Sequence, residues 1–123
     1  MAWTLDTDRP IYLQIVEIIQ TQIVSGLYQP GDKLPSVREL AAQASVNPNT
    51  MQKAFSELER SGLIITQRTS GRIVTEDVEM IKEIRFELAK ASIQDFFKKM
   101  KELGYEKEEI VTLLEEAAGE ENL

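Results

Sequence analysis

The sequence predicts a mostly α-helical chain with one small β-hairpin, and three observations predict it. Residues 36–62 read as two capped helices separated by a turn of a few residues. Residues 63–75 switch from helical spacing to two β-branched runs around a glycine loop. Residues 76–123 return to helical spacing and are strongly acidic. The expected domains are therefore 1–75, a winged helix-turn-helix, and 76–123, a short two-helix C-terminal dimerisation tail.

Bulk composition narrows the function classes. The 123 residues suffice for one domain with an appendage, and 42% hydrophobic with 28% charged residues is a globular balance. The absence of cysteine and histidine removes thiol chemistry, thiolate or imidazole metal ligands and the commonest general base, so neither an enzyme, a metal site nor a cofactor is expected. With no long apolar run and no basic-then-apolar start, a cytoplasmic protein is expected, away from membranes. The net charge of −7 lies wholly in the tail, because residues 1–75 hold seven Lys/Arg against seven Asp/Glu. A neutral front half with placed cations can approach a nucleic acid while the acidic half faces away.

Taken in order, residues 1–8 are a lead-in with Trp3 and Leu5 able to tuck inward. Asp8 is the expected N-cap of a first helix, with Pro10 in its first turn and Gly26 at its end. Ile11, Ile15, Ile18, Ile19 and Ile23 share its apolar face. Pro30-Gly31 suits a type II turn, and Leu27 and Tyr28 are expected in the core. Ser36 with Glu39 three residues on is the capping-box pattern of a second helix. Its buried stripe is Val37, Leu40, Ala41 and Ala44, with Arg38 outward. Gln43 to Val46 leaves room only for a tight turn, which completes a helix-turn-helix.

The second member of that motif is the central element. Asn47 is its N-cap, Pro48 falls at the first helical position and Gly62 closes it. Met51, Ala54, Phe55 and Leu58 recur at i, i+3, i+4, i+7 and form the buried face. Asn49, Gln52, Lys53, Ser56 and Arg60 lie opposite, an outer face of amides, a hydroxyl and cations. Asn and Gln bond bidentately to adenine, while Lys reaches guanine or phosphate, so a DNA recognition helix is the expectation. A solvated face on an ordinary core helix is the plainer alternative. Leu63–Arg68 and Arg72–Thr75 then form a hairpin around Thr69-Ser70-Gly71. Its tip, with Arg68, Ser70, Gly71 and Arg72, suits the phosphate backbone or a minor groove.

From Glu76 a long helix runs to about Leu103, breaks at Gly104, and a last helix follows over Glu106–Ala118. The long helix carries one stripe with Ile81, Ile84 and Leu88 and another with Phe86, Ile93, Phe97 and Met100. Two helices cannot bury that surface by themselves, so pairing with a second copy through Ile81, Ile84, Leu88, Ile93, Phe97 and Met100 is expected. A small-molecule effector, if one exists, would sit between tail and front domain or at the dimer interface, although core packing is the simpler job for Phe86, Phe96, Phe97 and Tyr105. The last helix's acidic pairs, such as Glu108/Glu109, read as solvated surface.

The string YQPGDKLPSVRELAAQASVNPNTMQKAFSELERSGLI, followed by a strand and a hairpin glycine, resembles the GntR family of bacterial transcriptional regulators; VNPNT and the short tail resemble its YtrA subfamily. The resemblance covers roughly residues 10–75. It implies that Arg38 approaches DNA at the start of the second helix. It further implies that Asn47, Asn49, Thr50 and Gln52 open the recognition helix, and that Gly71 is the wing-tip glycine. Pro48 and Gln52 stand where many relatives have arginine. The implied role is a dimeric repressor on an inverted-repeat operator of double-stranded DNA, in many YtrA-like cases that of an ABC-transporter operon. A winged helix used only as a protein-interaction module is the alternative.

Overall fold

The computed structural model describes residues 3–121, with Glu121 through its backbone alone, so the outermost residues of the two expected domains lie outside the described residues. In chain order it has α1 (Ile11–Val24), α2 (Val37–Ala44), α3 (Pro48–Ser61), the antiparallel strands β1 (Ile64–Gln67) and β2 (Gly71–Val74), α4 (Val78–Glu102) and α5 (Lys107–Glu121). Among the described residues no helix is long and apolar enough to cross a membrane.

The first helix starts later than its sequence suggests. Pro10 occupies the cap position of α1 and no side chain caps it, so Asp8 does not hold the role expected of it. The lead-in is instead pinned by Gln14, which is 2% exposed. Its Nε2 donates to the carbonyls of Asp6 (2.9 Å) and Arg9 (3.0 Å), and its Oε1 accepts from the Asp6 N–H at 2.7 Å. A buried amide with both ends bonded costs little and ties the stretch from Asp6 to Arg9 to the helix. Ile15, Ile19 and Ile23 are buried, whereas Ile11 and Ile18 are half-buried. Trp3 and Tyr28 pack against the core, but Leu27 is 54% exposed and is not part of it.

The link from α1 to α2 does more than turn. Pro30 and Gly31 centre a tight turn closed by the Asp32 N–H on the Gln29 carbonyl at 2.9 Å. Residues 31–34 then run beside β2: the Gly31 N–H donates to Val74, the Val74 N–H to Asp32 and the Leu34 N–H to Arg72, at 2.9–3.0 Å. The outer edge of the hairpin is thereby paired instead of left open. The capping box of α2 is complete, Ser36 and Glu39 exchanging both bonds at 3.1 Å. Because α2 continues through Ala44, the turn of the motif narrows to Ser45–Asn47, with Ser45 left-handed at φ +57°.

Helix α3 is the hub. Met51, Ala54, Phe55 and Leu58 are each 0% exposed, and α3 packs on α1, α2 and β1. At the far end, Asp77 caps α4 by accepting the Met80 N–H at 3.1 Å. Ile81 is 8% exposed and sits inside the core of the front domain, with Ile84 packed against it. Ile81 is therefore engaged in the core of its own chain, and Ile84, half-buried, packs beside it. The division between the two compact units falls between Arg85 and Phe86, ten residues beyond the change in composition. In the second unit Ile110 is fully buried, but Phe86, Ile93 and Leu103 are 63%, 55% and 73% exposed.

Gly62 ends α3 at φ +86°, and a Cβ there would meet the Met80 methyl at 3.3 Å. Gly62→Ala is expected to cost about 1–2 kcal/mol from the left-handed backbone. That corresponds to a melting temperature lower by roughly 4–8 °C per kcal/mol, read in a thermal melt.

Candidate nucleic-acid interface

The opening of α3 is built by its cap. Asn47 Oδ1 accepts the Asn49 N–H at 2.7 Å, and Pro48 follows where a missing N–H costs nothing. Asn47 therefore commits its oxygen to the helix while the residue itself stays exposed. Asn49, Gln52 and Lys53 are exposed and Thr50 is half-buried. From Pro48 to Ser56 the helix has no carboxylate. Glu57, the first, is ion-paired with Arg60. The face expected from helical spacing is thus present residue by residue.

Around it the cations differ in what they do. Arg38 projects from the first turn of α2, exposed and without an ion pair among the described residues. Arg68 is likewise exposed in the hairpin turn. Lys53 is also exposed, but its Nζ sits 4.0 Å from the centre of the Tyr12 ring on α1, a cation–π contact that restrains it. Ser70, Gly71 and Arg72 meet the start of α2 across a cleft of about 310 Å³ that Lys33, Pro35 and Ser36 complete. Gly71 takes the left-handed backbone (φ +78°) at the first position of β2.

Arg72 does not project from the hairpin tip. Its Nε donates to Glu59 Oε1 at 2.8 Å, its guanidinium lies 5.2 Å from the centre of the Phe55 ring, and its Nη2 lies 3.5 Å from Gln52 Oε1. The Thr66 hydroxyl donates to the other Glu59 oxygen at 2.7 Å. Thr66 and Arg72 are cross-strand partners, so one carboxylate on α3 grips both strands of the wing. The Thr66 hydroxyl first, then Arg72, hold the Glu59 carboxyl below the usual carboxylate range. Glu59 and Thr66 were not among the expected site residues. The signal was in the strand parity: Arg72 shares its face with the core residue Val74 and Thr66 with Ile64, which points both at α3.

A capped helix with an outward polar face, a preceding helix at a three-residue turn and a hairpin clamped beside them define a winged helix-turn-helix protein. The model of the bacterial regulatory proteins, gntR family, matches residues 11–74, more than half of the chain. The chain belongs to the GntR family and is a DNA-binding transcriptional regulator, not an enzyme. It is 46% identical over 105 residues to the uncharacterized HTH-type transcriptional regulator YhcF of Bacillus subtilis (strain 168), covering 85% of this chain and 87% of that one. It is 49% identical over 70 residues to the HTH-type transcriptional repressor YtrA of the same organism, covering 57% of this chain and 54% of that one. A solved GntR family transcriptional regulator from Listeria monocytogenes superposes with a TM-score of 0.83 at 44% identity, over 91% of this chain and 98% of that one.

The clamp gives a pH signature. The depressed carboxyl of Glu59 stabilises the fold above the unfolded value of about 4.3 and loses that contribution as pH falls through its lower folded value. Charge-assisted hydrogen bonds of this kind, partly exposed to water, contribute about 1 kcal/mol. Glu59→Gln is therefore expected to lower stability by about that amount at pH 7. In denaturant titrations at several pH values, the gap to the parent protein should close in acid.

Proposed function

We propose that the chain is a homodimeric, sequence-specific repressor that reads an inverted-repeat operator. The single observation carrying the proposal is the outer face of α3. It offers an uninterrupted run of amide, hydroxyl and ammonium groups while its back is wholly buried. In this reading Asn49, Thr50 and Gln52 face base edges in the major groove, Asn47 and Lys53 reach base or phosphate, and Arg38 takes the backbone beside them. Arg68, Ser70 and Gly71 follow the adjoining backbone into the minor groove. Repression is supported by the similarity to the repressor YtrA. The resemblance to its subfamily extends the proposal to an ABC-transporter operon as the target. An effector site is supported no further than by cavities, of which one of about 520 Å³ lies along α1, lined by Asp6, Arg9, Glu17, Ile18 and Leu27.

Replacing Arg38→Ala together with Asn49→Ala removes one backbone and one base contact. Operator retention in a gel-shift assay is expected to fall by at least about thirtyfold, from about 1–3 kcal/mol per contact, with the dimer still folded. Unchanged retention would mean that another face reads the DNA.

The dimer is proposed to form through the tail. Phe86, Ile93, Phe97 and Met100 follow one another at spacings of seven, four and three residues along α4, the repeat of a helix seam. Phe86 and Ile93 are more than half exposed within one chain. An apolar strip left this open is a docking surface, and a second copy presents the matching strip. Leu88 flanks the seam. Phe86→Glu with Ile93→Glu is expected to yield a folded monomer by sedimentation; a dimer mass would place the interface elsewhere.

A further inference from the structure

From the geometry we infer that Arg72 is a specificity-determining positioning residue: clamped by Glu59, it holds the side-chain amide of Gln52 in a single orientation for reading adenine. The inference rests on the DNA-reading assignment of α3 and adds a group that does not itself touch the base.

The chemistry of the four side chains leaves the amide a single choice. The Ser56 hydroxyl donates its only proton to the Gln52 main-chain carbonyl at 3.0 Å, so toward the side chain it can only accept. It does so from Gln52 Nε2 at 3.3 Å. At the other end, the guanidinium of Arg72 can only donate, and its Nη2 lies 3.5 Å from Gln52 Oε1. Swapping the amide ends would set an NH2 against a guanidinium and an oxygen against a hydroxyl lone pair. Each end keeps one function in reserve, a lone pair on Oε1 and an N–H on Nε2. That is the acceptor–donor pair which matches the N6 donor and N7 acceptor of adenine in the major groove. Arg72 can hold this position because Glu59 bonds its Nε and the Phe55 ring supports its plane. Gln52, Phe55, Ser56 and Glu59 lie on α3 itself, so the reading amide is oriented by its own helix plus one residue of the wing.

Selection of bound duplexes from a random pool tests this with the full chain, the single variants Gln52→Ala, Arg72→Met and Glu59→Gln, and the double variant of the first two. Far-ultraviolet circular dichroism checks the folding of each. The parent protein is expected to select a site with an adenine preference at one position per half-site that Gln52→Ala abolishes. Arg72→Met and Glu59→Gln should each cut the preference at that position alone, by about three- to tenfold, a fraction of what a full bidentate pair supplies. Arg72→Met added to Gln52→Ala should change nothing more there. Glu59→Gln keeps the arginine's charge, so it decides the matter if Arg72→Met does not fold. Uniform weakening across sequences with a shallower salt dependence would make Arg72 a phosphate contact and overturn the inference. So would an intact preference in Glu59→Gln, or a Gln52-dependent position that does not favour adenine. If the parent selects no common site, the DNA-reading assignment falls as well; if it selects one and only the variants disagree, that assignment stands alone.

Discussion

The rotational setting of α3 about its own axis is the constraint on which the rest depends. Four of its side chains are completely buried, and each large one contributes on the order of 1.5–3 kcal/mol by leaving water. Turning the helix by one residue, 100°, would bring Gln52 into the core and expose Met51. No outward hydrogen bond, at roughly 1 kcal/mol net, competes with that. The apolar back therefore determines where the polar front points. The front can change sequence, and with it target preference, while the fold stays the same. This decoupling lets Pro48 and Gln52 stand at the opening of α3 without disturbing the domain.

The wing is fixed to α3 by a different kind of force. Two four-residue strands are too short to stand alone in water. They are held on one side by residues 31–34 and on the other by Ile64 and Val74 in the core. Glu59 closes the arrangement beyond the end of the apolar contact, where polar side chains must take over. A carboxylate suits this position because it accepts from both strands at once. A cation on the wing is thus spent on internal order before any ligand arrives.

Much of this was legible in the sequence, and the misses share a cause. Capping residues, the helical spacing of α3 and the glycine-centred hairpin depend on neighbours three or four residues apart, which a sequence displays directly. Asp8 failed as a cap because Gln14, an unremarkable polar residue on a helix, turned out to be the better-placed partner for the lead-in. Arg72 stands next to Gly71 in the chain, which suggests the tip, whereas its strand parity with Val74 turns it toward α3. Ile81, Ile84 and Leu88 form one continuous stripe on α4, and spacing cannot reveal that its first two members and its last belong to different compact units. Composition changes at Glu76, where acidic residues begin, whereas packing changes at Arg85. Charge marks what a helix shows to water, and contact marks what it leans on.

The same distinction resolves the neutral charge of the front domain. Its carboxylates are largely committed: Glu59 to the wing, Glu57 to Arg60, Glu17 and Asp6 to Arg9, Glu39 to the cap of α2, and Asp32 to the Gln29 N–H. Arg38 and Arg68 have no such partner among the described residues. The charges cancel in sum, but of the domain's carboxylates Asp8 alone lacks such a partner among the described residues, and it lies in the lead-in before α1, whereas Arg38 and Arg68 lie on the elements beside α3. Few free cations supply only a modest, salt-sensitive attraction to phosphate. In the proposed reading, discrimination between sequences then falls to amides held in register by the helix cap and the wing clamp.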